Sequence, residues 1–237
     1  AFPLRYRERV SPRAAVADVV KVAGLSDAQP LALALYRPLG AAPGQLGFKV
    51  YRRGAPVVLS DSLPMLEHMG VRVLGEHSDR LEGDDGAIGV YDFELHAPGT
   101  EDMEPETVAR LFEDGFARVF RGEVENDDFN KLILRGAIPA DEVVVLRAYA
   151  KYLKQIGFAL SQATIEATLA AHPRIARLLV ALFRLRFDPD QHDAQAEASQ
   201  VRAVELALEK VANLSEDRVL RQLLALVQAT LRTNFWR

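Results

Sequence analysis

Cysteine is absent from all 237 residues. That excludes a disulfide framework, a thiolate nucleophile and any zinc or iron-sulfur site built on thiolates. The absence fits a reducing compartment, and a cytoplasmic location is expected. No apolar run reaches the roughly 20 residues that a helix needs to span a bilayer. Nor does the start resemble a signal peptide, because it is broken by Pro3 and carries Arg5, Arg7, Glu8 and Arg9. Charge of one sign is also scarce: 33 acidic and 29 basic side chains leave a net -4, with the signs interspersed. Neither nucleic acid nor an anionic membrane is therefore an expected partner. The sequence opens on Ala1 and closes on Thr233-Asn234-Phe235-Trp236-Arg237, and it is read as a piece of a longer chain.

Catalytic and metal motifs are missing as well. The histidines, His68, His77, His96, His172 and His192, are scattered and never take a His-Glu-x-x-His spacing. No serine sits in Gly-x-Ser-x-Gly, so acyl transfer has no warrant. The stretch Gly40 to Gly47 lacks the Lys-Ser or Lys-Thr pair and the long helix that would let it cradle phosphate, and it is read as a structural turn. Asp188, Asp190, His192 and Asp193 form a polar cluster without the central glycine of a calcium loop, and position twelve from Asp188 is Ser199. No catalytic, cofactor-binding or metal-ligating residue is assigned.

What is present is a clear change of period. Ser11 and Pro12 supply a hydroxyl cap and a first-turn proline, predicting a short helix over 14–22 that stops at Gly24. Leu31–Tyr36 is a compact apolar run and Phe48–Tyr51 alternates, so two adjacent strands are expected around a turn-rich loop. Ser60 to Pro64 then starts a helix that turns Met65, Leu66 and Met69 toward a sheet. Val71–Leu74 and Ile88–Leu95 add two more strands, with Asp84-Asp85-Gly86 as their turn. An α+β module with a small four-stranded antiparallel sheet is expected over residues 1–103.

From Pro105 the period becomes helical, with Val108, Leu111, Phe112, Phe116, Val119 and Phe120 on one stripe and Gly122 as the stop. An all-helical domain is expected over 104–237. Its helices run over 126–134 and 140–156, from Ser161 to Ala170, from His172-Pro173 onward, and from Val201 and Ser215 onward. Val145, Tyr149, Tyr152 and Ile156 should share a face of the second, and residues 188–200 should form an exposed loop.

Two clusters invite a functional reading. Asn126, Asp127, Asp128, Asn130 and Lys131 surround Phe129, and either bind a small ligand or join domains by capping and hydrogen bonds. Arg147, with Tyr149, Lys151 and Tyr152, is either a basic and aromatic contact surface or the two faces of a helix. Arg174, Arg177 and Arg184 read as a solvated face. Glu101, Asp102, Glu104 and Glu106 read as charges favourable to a helix start, as do Glu123, Glu125, Asp127 and Asp128.

Several stretches resemble the large bacterial NAD-specific glutamate dehydrogenases. They are residues 57–70 (VVLSDSLPMLEHMG), 125–132 (ENDDFNKL), 146–155 (LRAYAKYLKQ), 216–221 (EDRVLR) and 230–235 (TLRTNF). The resemblance implies an ACT-like, ligand-sensing module followed by a helical motif, both preceding the catalytic domain. It implies a parent enzyme that converts L-glutamate, NAD and water to 2-oxoglutarate, ammonium and NADH and assembles as a homo-oligomer. NAD and the catalytic residues would lie outside this stretch. The partners so implied are the remainder of the polypeptide and a small amino-acid effector. An independent amino-acid-sensing or protein-binding module is the alternative.

Overall fold

Ser11 starts a helix as expected, its hydroxyl accepting a hydrogen bond from the Ala14 amide at 3.3 Å. The computed structural model describes residues 2–83, 86–100, 103–190 and 193–236. The turn expected at Asp84-Asp85, and Glu101, Asp102 and His192, lie outside the described residues. The chain divides into two compact units, Ala1–Glu123 and Val124–Arg237.

In the first unit, α1 (Leu4–Arg9) and α2 (Pro12–Ala23) precede β1 (Leu31–Tyr36) and β2 (Gln45–Arg53). Then follow α3 (Leu59–His68), β3 (Arg72–Gly83), β4 (Gly86–His96) and α4 (Pro105–Phe120). The four strands form one sheet in the order β1-β2-β4-β3, and every pairing is antiparallel. This is the expected α+β, ACT-like sheet, with an all-helical segment after it.

Strand alternation gives the sheet two buried faces. On one, Phe48 lies beside Phe93 and meets Phe112 and Phe116 of α4 edge-on, each at a centroid distance of 4.9 Å. On the other, Tyr51, Val90 and Leu81 pack with Leu25, just after α2, and with Val22. A strand buried on both faces explains why residues 48–51 are all buried, including Lys49.

The boundary expected after residue 103 follows the change of period, whereas the compact units divide after Glu123. The reason is α4, whose aromatic stripe closes over the sheet and whose Glu113 accepts a hydrogen bond from the Leu35 amide of β1 at 2.8 Å. A helical period marks an apolar stripe but not the surface that the stripe covers.

The second unit opens with a single 3-10 turn, Asp128–Asn130, and α5 (Lys131–Arg135). It continues through α6 (Ala140–Gln155), α7 (Gln162–Ala171), α8 (Pro173–Phe187), α9 (Ala194–Leu208) and α10 (Leu214–Ala229). Ser161 caps α7 by accepting from the Thr164 amide at 3.1 Å. Gly157, just past α6, takes a positive φ of 80° that a side chain would resist.

The exposed loop expected over 188–200 is largely helix. Asp193 accepts from the Gln195 and Ala196 amides at 2.8 and 3.1 Å, so its carboxylate starts α9 rather than belonging to a loop. The polar residues that follow are the exposed side of that helix, and Gln200 donates to the Leu178 carbonyl of α8 at 2.8 Å.

Candidate functional site

Arg147 lies on the buried side of α6, only 3% exposed. Its guanidinium grips Asp127 with two donors, Nε to Oδ2 at 2.7 Å and Nη2 to Oδ1 at 2.8 Å. Nη2 also donates to Asn130 Oδ1 at 2.9 Å, and the fully buried Asn130 donates its own amide to the Glu125 carbonyl at 2.9 Å. The guanidinium stands 5.6 Å over the Phe129 ring. A planar fork matched to a carboxylate and lying over an aromatic face is an arrangement that lysine cannot reproduce.

Local chain geometry delivers these partners. Asp127 caps the 3-10 turn by accepting from the Phe129 amide at 3.2 Å, which buries Phe129 and points Asn130 inward. The structure therefore joins Asp127, Asn130 and Arg147, three of the six predicted residues. Asp128 and Lys131 pair with each other at 2.6 Å nearer the surface, and Asn126 is exposed. Lys151 holds the side chain of Glu125 in an ion pair that keeps its carboxyl below the usual carboxylate range.

The face expected on α6 is displaced. Val145 is buried, but Tyr152 is 49% exposed and Ile156 53% exposed, while Val143, Leu146, Arg147, Ala150 and Leu153 face the core. The helix turns its arginine inward because Asp127 is there to meet it. Sequence alone has no term for that pairing.

A second buried network was not legible in the sequence. Asp18 of α2 is 2% exposed and accepts from Tyr6, from Lys49 Nζ at 2.6 Å and from Tyr51 at 2.7 Å. Lys49 also lies 3.9 Å from Asp92, which accepts from the Tyr36 hydroxyl at 2.8 Å. Burial and the Asp18 carboxylate push the Tyr6 and Tyr51 phenols far upward, so both stay protonated donors. Burial raises the Asp92 carboxyl against the pull of Tyr36 and Lys49. The one available signal was a lysine set between Phe48 and Val50 in β2.

Tyr36 explains Gly47. Its ring covers the glycine so closely that an added Cβ would lie 2.2 Å from it. The glycine-rich stretch is thus a β1–β2 connection in an antiparallel sheet, with no helix following, and the residues here do not form a dinucleotide cradle.

At the far end of the second unit, Phe183 of α8 gathers aromatic rings. Tyr149 and Phe235 meet it edge-on at 6.2 and 5.6 Å, and Trp236 stacks on it at 5.5 Å. Arg186 donates to the Gln228 and Thr230 carbonyls at 3.0 and 3.4 Å, and the Tyr149 and Thr230 hydroxyls lie 2.8 Å apart. The end of α10 and the residues after it are tied to α6 and α8. Among the described residues, no cluster of three His, Asp or Glu forms a candidate metal site, and no helix is long and apolar enough to cross a membrane.

Comparison with known families divides the chain into four. Residues 1–25 match glutamate dehydrogenase helical motif 2, residues 30–108 the glutamate dehydrogenase ACT3 domain, and residues 124–189 glutamate dehydrogenase helical motif 3. Residues 203–237 match the catalytic domain of bacterial NAD-glutamate dehydrogenase. The chain matches domains of the large NAD-specific glutamate dehydrogenases. It is 41% identical over 237 residues to the NAD-specific glutamate dehydrogenase of Halomonas elongata, which covers 100% of this chain and 15% of that protein. The Pseudomonas aeruginosa protein of the same name is 41% identical over 243 residues, covering 99% of the chain and 15% of that protein. The one from Mycobacterium tuberculosis is 36% identical over 248 residues, again covering 100% and 15%. The chain thus spans about 15% of the length of the glutamate dehydrogenases it matches.

The family boundaries give the geometry a meaning. The Arg147 network lies wholly within helical motif 3, and the Asp18 network ties helical motif 2 to the ACT3 sheet. The aromatic cluster at Phe183 joins helical motif 3 to residues matched by the catalytic domain.

Proposed function

We propose that this chain is a regulatory and structural segment of an NAD-specific glutamate dehydrogenase. Its complete polypeptide converts L-glutamate, NAD and water to 2-oxoglutarate, ammonium and NADH and assembles as a homo-oligomer. The observation that carries the reading is that α10, matched by the catalytic domain, packs in one compact unit with helical motif 3. Arg147 and its partners then serve as an internal brace that shapes that unit, and chemistry and NAD binding belong to other parts of the polypeptide. The complete polypeptide should produce NADH on addition of glutamate and NAD, while the 237-residue chain alone should produce none. Turnover by the chain alone, or its lack in the complete polypeptide, would overturn the assignment.

An effector role has its own support. Besides the ACT3 match, a groove of about 310 Å³ between α1 and β3 is lined by Arg5, Arg9, Glu76, His77 and Asp79. Charges of both signs suit the carboxylate and ammonium of an amino acid. Saturable heat in a calorimetric titration with one of the standard amino acids is the expected result. A flat titration with every one of them would leave the segment a purely structural part.

A further inference from the structure

Helix α6 carries two apolar stripes. One, through Val143, Leu146, Ala150 and Leu153, is buried within its own unit. The other runs through Val144, Ala148 and Tyr152 at a spacing of four residues, so these side chains lie above one another on a single helix face. Val144 is 38% and Tyr152 49% exposed. This second stripe forms one wall of a groove of about 450 Å³, and Leu226 of α10 with Thr233 and Phe235 beyond it forms the other.

The groove continues an interface that already exists. Its base is Tyr149 and Phe183, the same side chains that hold Thr230, Phe235 and Trp236. One wall comes from residues matched by helical motif 3 and the other from residues matched by the catalytic domain. Residues 203–237 are the end of α9, the whole of α10 and a short tail, too little for a dinucleotide-binding domain, which needs on the order of 100 residues. Any part of the catalytic domain outside residues 203–237 would have this groove beside it, since those residues form one of its walls. An apolar helix face exposed where two modules of one polypeptide meet is suited to a third element packing across both.

The geometry points to the Val144-Ala148-Tyr152 groove as the docking surface for the part of the catalytic domain lying outside residues 203–237 of the same polypeptide. The proposal rests on the glutamate dehydrogenase reading above. Helical motif 3 would hold the catalytic domain by two surfaces: the aromatic cluster at Phe183 and this groove.

Thiol footprinting tests it, helped by the lack of natural cysteine in these 237 residues. Val144→Cys and Tyr152→Cys are placed separately in the 237-residue chain and in the complete polypeptide, and alkylation is followed by peptide mass spectrometry. Each rate is compared with that of the same protein unfolded in urea. In the 237-residue chain both thiols should react nearly as fast as when unfolded, and in the complete polypeptide at least about tenfold more slowly, at every protein concentration. Equal rates in the two proteins would overturn the proposal. Protection that is lost on dilution, or that appears in the 237-residue chain as concentration rises, would also overturn it by assigning the groove to a second copy. NADH production by the unsubstituted complete polypeptide is read separately, so failure of the functional reading is distinguishable from failure of the docking.

Discussion

Asp18→Ala should destabilise the first unit by about 3–5 kcal/mol, the range for breaking a buried ion pair from one side. Lys49, whose side chain is 7% exposed, would keep Asp92 at 3.9 Å and the face of the Tyr36 ring at 5.4 Å, and the buried Tyr6 and Tyr51 hydroxyls would lose their shared acceptor. The loss has little to do with the strength of the attraction removed. It comes from leaving an ammonium and two donors dry. Removing the lysine together with the aspartate should therefore recover much of the stability, because Asp18→Leu with Lys49→Met leaves no buried charge of that pair behind. Hydrogen exchange of the β2 amides, Gln45–Arg53, is the measurement. Exchange unchanged in the single variant, or a double variant as unstable as the single, would contradict this account.

Arg147→Ala should cost the second unit about 3 kcal/mol, the lower part of the same range. Asn130 is fully buried and would lose the donor to its side-chain oxygen, while Asp127 keeps 16% exposure of its side chain and can regain some water. Arg147→Lys should restore less than half of the loss, since an ammonium supplies the charge but not the two parallel donors. The chain provides its own probe. Its single tryptophan, Trp236, stacks on Phe183 in this unit, and its fluorescence should report unfolding at a lower urea concentration in Arg147→Ala. A midpoint unchanged by the substitution would show that the network contributes nothing to the fold.

Both predictions concern residues whose environment the sequence concealed to different degrees. Asp127, Asn130 and Arg147 stood out as a polar cluster near an aromatic residue and an arginine in a helix. The structure gives their pairing, and with it the displaced face of α6 that leaves Tyr152 at the surface. Nothing marked Asp18, because an acid in a short helix with exposed neighbours ordinarily points to water. Its partners come from α1, β2 and β4, up to 74 positions away counting Asp92 through Lys49, and no local pattern connects them.

The sequence by itself determined the succession of a strand period and then a helical one, with caps at Ser11 and Ser161 and a stop at Gly157. These are local matters of backbone freedom and of which amide a neighbouring oxygen can reach. It also carried the stretches that place the chain among the glutamate dehydrogenases. Only the tertiary structure decided that α4 belongs with the sheet, that Lys49 and Arg147 are buried charges, and that α6 keeps a second apolar face open. Each of those depends on which surface a stripe meets, and burial is a property of the surfaces brought together rather than of the residues taken in order.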